Sequence, residues 1–170
     1  MMNTVVDTAR KQKEHYAGDE DRPLGSYLGT LAVYAVTTGA MALLAKRFRD
    51  RVPGVGAGDL ALMAITTHKL SRLIAKDPVT SPLRAPFTRY SGTSGPAEVA
   101  EEVRGHGARH AVGELVTCPF CTGQWVATAY AAGLVFAPEA TRFAGATMTA
   151  VAASDWLQLA YARLQQAAEG

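Results

Sequence analysis

The sequence predicts an all-α, polytopic membrane protein: a bundle of about four transmembrane helices with a long polar loop between the second and third. Three observations predict it. Charged residues make up only 19% of the chain and hydrophobic ones 48%, where an average soluble domain carries about 25% charged residues. The charges are unevenly placed, leaving apolar runs at 26–45, 117–138 and, interrupted at Asp155, 143–164. A run of about 20 residues spans about 30 Å as a helix, the thickness of a bilayer core. A length of 170 residues suits one domain. The net charge of +2 and the 2 cysteines argue against a nucleic-acid partner and against a disulfide-stapled secreted scaffold.

Residues 1–25 form a polar arm of mixed charge, readable as a short amphipathic helix or a loose segment. It lacks the order of a secretory signal, and Pro23 and Gly25 punctuate its end. The helical domain covers 26–165, with spans at about 26–45, 57–76, 118–138 and 142–164, a loop at 77–117 and a tail at 166–170. The first run is stopped by Lys46, Arg47, Arg49 and Arg51. The glycine-rich stretch 54–58 lacks a phosphate-loop spacing and reads as a turn. The second span is apolar in its first half and carries His68, Lys69 and Arg72 in its second. Such a helix crosses a membrane when its charges face neighbouring helices or snorkel. Asp77-Pro78 ends it, because the residue before proline disfavours the α conformation.

The connection 77–117 holds Pro82, Arg84, Pro86 and Phe87, a flexible Ser-Gly-rich stretch at 91–96 and a segment of helical composition at 97–104. In the third span Pro119 suits the first helical turn. A tight turn is expected at 139–142. Small residues recur at Gly123, Ala127 and Ala131 and at Gly145, Thr149 and Ala153, a spacing that lets helices approach closely in lipid. Four spans place both termini and the long loop on one face. That face holds Arg10, Lys11, Lys13, Arg22, Lys76, Arg84, Arg89, Arg104, Arg109 and Arg163; the other holds Lys46, Arg47, Arg49, Arg51 and Arg142. The positive-inside rule then favours cytoplasmic termini.

Three constellations carry candidate chemistry. Cys118-Pro119-Phe120-Cys121 opens the third span. The dipole and free N–H groups of a helix N-terminus stabilise a thiolate there, and membrane oxidoreductases that pass electrons from thiols to quinone use a similar placement. In that reading Cys118 attacks and Cys121 resolves. With a single pair no second dithiol shuttles electrons, and a cytosolic face keeps thiols reduced. His106, His110, Cys118 and Cys121 give H-x3-H-x7-C-x2-C, the ligand types of a tetrahedral zinc site. Two solvated histidines and two buried thiols are the plainer account. The third constellation lies in the membrane. The second and fourth spans run in the same direction, and Arg72 and Asp155 fall at similar depth, so an Arg72–Asp155 pair is expected. His68 is one turn from Arg72 and suits a proton relay, with Lys69 pointing elsewhere. Helix packing accounts for this network more simply than transport does.

Two blocks carry a family resemblance. The first is 67–73, Thr-His-Lys-Leu-Ser-Arg-Leu, followed by Lys76-Asp77 and by 82–87, Pro-Leu-Arg-Ala-Pro-Phe. The second is 113–121, Gly-Glu-Leu-Val-Thr-Cys-Pro-Phe-Cys, ending in Gly123 and Trp125. From about residue 59 onward the chain resembles a bacterial membrane family catalogued as domain of unknown function 1360, some members of which are labelled sporulation proteins. Lys69 stands where the family pattern suggests arginine. The resemblance implies an integral membrane protein. It also implies that His68, Arg72, Asp77, Arg84, Glu114, Cys118 and Cys121 share one site, and it brings no reaction, substrate or cofactor. The expected function is a membrane scaffold or accessory subunit in the bacterial cytoplasmic membrane. It would be partnered by lipid and by another membrane protein or a second copy. The alternatives are a thiol-dependent membrane oxidoreductase and a proton-coupled transporter component.

Overall fold

The structure is a computed structural model and describes residues 2–18, 22–48 and 54–169. Arg49 and Arg51 of the expected basic cluster lie outside the described residues. In order, the elements are α1 (Met2–Ala17), α2 (Leu24–Arg47), α3 (Ala57–Lys76), a 3-10 turn (Pro78–Thr80), α4 (Ser81–Arg84), β1 (Thr88–Gly95), β2 (Glu98–Val103), α5 (Ala108–Thr117), α6 (Pro119–Phe136) and α7 (Pro138–Glu169). The protein is mostly helical, and its small sheet is one antiparallel hairpin.

Among the described residues one helix, α2, is long and apolar enough to cross a membrane, and none of it is buried within the chain. The other long helices fall over the expected spans but do not meet that standard. Helix α3 carries His68, Lys69 and Arg72 in its second half, α6 is diluted by Thr122, Gln124, Thr128 and Tyr130, and α7 becomes polar towards its end. A four-span bundle is therefore not shown.

Helix α3 is central and packs most extensively against α6 and α7. Its neighbours sort into two antiparallel sets. Tyr34 of α2 meets Thr128 and Trp125 of α6, and Phe48 meets Phe136, so α2 and α6 run in parallel. Asp59 meets Arg142, and Lys69 meets Asp155, so α3 and α7 run in parallel the other way.

Small residues make the close approaches. A Cβ at Gly123 would sit 3.6 Å from Thr67 and 3.8 Å from Ser71 of α3. Gly145 lies under the ring of Tyr130, and its carbonyl accepts from Thr66 Oγ1 at 3.3 Å. The expected stripes hold only in part. Ala131 and Ala153 are exposed, and the inward face of α6 is instead Thr122, Gly123, Val126, Tyr130 and Leu134. On α7 the buried residue is Ala152, seven positions from Gly145. This is the period of two helical turns rather than a run of fours.

The segment expected as a loop is structured, and this corrects two expectations. Residues 98–103 form β2, not a helix. Val99, Glu101 and Val103 alternate onto one face, as a strand requires, and Glu101 is held there by Arg84 of α4. A tertiary ion pair thus overrides local helix propensity. The hairpin reverses at Pro96-Ala97, with Ala97 at φ 58°. Proline suits the first central position of such a turn, and the second calls for positive φ. A bulge between Tyr90 and Gly92 bends β1. The reversal expected at 139–142 also moves. It lies at Ala137, and Pro138 opens α7, its fixed φ suiting the first helical turn.

Candidate functional site

The hairpin is fastened to the bundle by Arg84. Pro78 and Pro82 hold the chain in short helical turns after α3, which brings Arg84 back under the end of that helix. Its side chain is fully buried. Nε and Nη2 donate to the two Glu101 oxygens, each at 2.9 Å. Nη1 donates to the Ile74 carbonyl and to Thr80 Oγ1, each at 2.6 Å. Nη2 also donates to the Asp77 carbonyl at 3.0 Å and to Ser81 Oγ at 3.2 Å. A guanidinium has five N–H donors in a planar fork, and here they serve the C-terminal carbonyls of a helix and a carboxylate together. Burial alone would raise the Glu101 carboxyl. Hydrogen bonds from Arg84, Thr88 and Ser81, with the guanidinium charge, outweigh it and hold Glu101 below its ordinary value.

A cleft of about 740 Å³ opens between α3, α7 and the tip of the hairpin. His68, Lys69, Arg72, Asp77, Asp155 and Trp156 line it. The expected Arg72–Asp155 pair is not made. Lys69 Nζ reaches Asp155 Oδ2 at 2.5 Å, and Arg72 donates through Nε to Glu98 Oε1 at 2.9 Å and through Nη2 to the same oxygen. The helical register decides this. Lys69 is three residues past Thr66, which faces Gly145 of α7, so it shares the α7 side. Arg72 instead meets the base of a hairpin turn that the sequence reading did not contain. His68 is exposed beside Trp156, with ring centroids 6.2 Å apart. Asp77 accepts from Val79 N at 2.8 Å and caps the 3-10 turn.

Glu114 and the cysteines lie elsewhere, around a groove of about 490 Å³ between α2, α5 and α6. Glu114 accepts from Tyr27 Oη at 2.5 Å and from Arg22 Nη1 at 3.0 Å, with His110 Nε2 at 3.4 Å. These bonds tie the start of α2 to α5. Cys118 is the N-cap of α6, and its Sγ accepts from Cys121 N at 3.2 Å and from Cys121 Sγ at 2.7 Å. Both cysteines are free thiols, and Cys121 is the more exposed. Deeper in, Gln124 Nε2 donates to Tyr34 Oη at 2.6 Å, and Tyr34 meets Thr128 Oγ1 at 2.7 Å.

The residues expected in one site are therefore divided. His68, Arg72 and Asp77 line the cleft; Glu114 and Cys121 line the groove; Arg84 is an interior anchor. His106, His110, Cys118 and Cys121 do not converge either. Among the described residues no three His, Cys, Asp or Glu side chains are placed to hold a metal ion. His110 lies in the first turn of α5 and turns to Glu114 one helical turn on, while Cys118 follows the far end of that helix. Lys69, expected to point elsewhere, is the partner of Asp155, and Glu98 and Glu101 were not among the expected site residues. The alternation of Val99, Glu101 and Val103 was the signal for the last of these.

Fold and site define a mostly helical protein whose bundle carries a small hairpin, fastened by a buried arginine and flanked by two clefts. The chain belongs to the family described as "Protein of unknown function (DUF1360)", whose family model matches residues 62–161. The chain is also 32% identical over 71 residues to a protein of Bacillus subtilis (strain 168) named "Sporulation protein YjcA", a match covering 40% of this chain and 60% of the relative. The chain thus spans less than two thirds of that relative's length. No solved structure matches the chain.

Proposed function

We propose that the protein is a multi-pass membrane protein acting as a scaffold or accessory subunit of a membrane complex in the bacterial cytoplasmic membrane. The observation that carries the membrane reading is α2. It has 24 residues, is apolar, and buries none of them in the chain. Leu28, Leu31, Val33, Val36, Leu43 and Leu44 are all more than half exposed, a surface that water penalises and lipid does not. Helices α3, α6 and the first part of α7 complete four spans. Lys69–Asp155 and Asp59–Arg142 pair α3 with α7, as intramembrane charges do. Both termini and the hairpin lie on the cytoplasmic side.

The scaffold reading is favoured over transport by how the charges are used. Arg84–Glu101, Lys69–Asp155, Arg72–Glu98, Arg142–Asp59 and Arg22–Glu114 each join different elements. They hold the bundle and its hairpin in one arrangement. Helix α7 has 32 residues, about 48 Å, which is longer than a bilayer core needs. Its exposed Trp156, Leu157, Tyr161 and Leu164 offer a surface to another membrane protein or a second copy.

The test is topology. Reporter fusions at Gly56, Gly92, Ala137 and the C-terminal end are expected to alternate in side, and alkaline carbonate is expected to leave the chain in the membrane pellet. Release by carbonate, or the same side at Gly56 and Gly92, would overturn the reading.

A further inference from the structure

We propose that the groove between α2, α5 and α6 binds a lipid-soluble quinone and that the Cys118–Cys121 dithiol reduces it. The proposal rests on the membrane reading, since such a substrate reaches the groove from the bilayer. It adds an activity to the scaffold role.

Two independent features meet in this groove. The first is the dithiol. The two sulfurs are 2.7 Å apart, against about 2.05 Å in a disulfide, so the pair closes with little movement. Cys118 Sγ accepts two hydrogen bonds, from Cys121 N and Cys121 Sγ, so the Cys121 thiol proton already points at the neighbouring sulfur. Cys121, one helical turn on, lines the groove itself. The second feature is the shape and polarity of the groove. Its walls include Leu31, Leu115 and Trp125, and it holds the polar pair Tyr34–Gln124. Gln124 Nε2 spends one hydrogen on Tyr34, and an amide nitrogen has two. The second is available to a carbonyl oxygen. A flat ring bearing carbonyls, with an apolar tail, matches these walls and this donor. About 490 Å³ is within the usual range of ligand pockets.

The step balances. Cys121 Sγ, passing its thiol proton to Cys118 Sγ along the hydrogen bond between them, adds to the quinone ring, forming a C–S bond and leaving the negative charge on a ring oxygen, which then takes that proton from Cys118. The Cys118 thiolate then attacks Cys121 Sγ; the S–S bond forms, the C–S bond breaks, and the electron pair stays on the ring. The dithiol loses two electrons and two protons, and the quinone gains both as hydroquinone. A second thiol compound re-reduces the disulfide. The placement reverses the roles expected from sequence, because Cys121 and not Cys118 faces the substrate.

The experiment uses the full chain in detergent, reduced and freed of reductant, with a short-chain benzoquinone as the probe. Thiols are followed by mass-tagging and quinol by absorbance. One quinol per disulfide is expected, at a rate that saturates with quinone. Cys118→Ser is expected to stop at a covalent quinone adduct on Cys121, seen by mass. Gln124→Leu is expected to raise the half-saturating quinone concentration about tenfold, the effect of one lost hydrogen bond. Its reaction with a water-soluble aromatic disulfide, which needs no groove, should be unchanged. Leu31→Trp, which fills the groove, should raise the half-saturating quinone concentration as well. A rate that stays linear in quinone, half-saturation in both groove variants equal to that of the natural sequence, or adduct without quinol in the natural sequence would overturn the proposal. Carbonate extraction judges the membrane reading separately, so the two failures are distinguishable.

Discussion

Replacing Arg84 with alanine should release the hairpin from the bundle. The substitution removes six hydrogen bonds at once, two of them to the Glu101 carboxylate. Glu101 has a side chain only 6% exposed and would keep just Thr88 at 2.8 Å and Ser81 at 3.2 Å. The carbonyls of Ile74 and Asp77 would also lose a donor. Breaking a buried ion pair from one side costs about 3–5 kcal/mol. The charge left uncompensated in the interior dominates that cost, more than the lost attraction. The opening should be local, because the hairpin touches the bundle mainly through α5 and α3. Hydrogen exchange reads it directly. At 1.4 kcal/mol per tenfold, protection of the β2 amides should fall roughly 100- to 4,000-fold, while the α3–α6–α7 core keeps its own. Arg84→Lys should fall between, since a lysine ammonium cannot reproduce the planar fork. Unchanged β2 protection in Arg84→Ala would refute the reasoning, and so would uniform loss across the bundle.

Three further outcomes follow from the same geometry. Because the folded Glu101 carboxyl sits below its ordinary 4.5, the anchoring should be fully present above that value and lost as pH falls through the lower folded one; β2 protection measured from pH 7 to pH 3 should show the loss, and Glu101→Gln should flatten it. Gly113→Ala would place a Cβ 2.5 Å from Val103 Cγ1 and 3.1 Å from the Phe87 carbonyl, so thermal melting should report a loss of about 1–3 kcal/mol from overpacking. Ala97→Gly should stabilise the hairpin by up to about 1 kcal/mol, since an L-residue at φ 58° is disfavoured by roughly 1–2 kcal/mol and glycine returns part of that in chain entropy; unaltered or weaker β1–β2 protection would count against it.

The largely apolar runs located α2, α3, α6 and α7 as helices, because such runs of about 20 residues are longer than strands usually are. Pro119 and Asp77-Pro78 marked their ends for steric reasons that are purely local. The direction of α3 and α7 followed from counting spans. The hairpin was not legible. Residues 97–104 have helical composition, and only the inward side of Val99, Glu101 and Val103, set by Arg84, makes them a strand. The partner of Asp155 was misread for the same cause: without a hairpin, Glu98 was not a candidate for Arg72. The division of the family blocks into cleft, anchor and groove was equally hidden. Blocks adjacent in sequence can point to opposite sides of a bundle.

The sequence by itself thus determined the four long helices, their approximate limits and the thiol pair at the start of α6, all properties of short stretches of chain, while α5 fell within the expected loop. Tertiary structure decided which charge neutralises which, that β2 is a strand, and that Cys121 rather than Cys118 lines a groove. Ion pairs and clefts are made between elements far apart in sequence. Their choice rests on helical register and on which neighbour arrives within a few ångströms, and no local pattern encodes that.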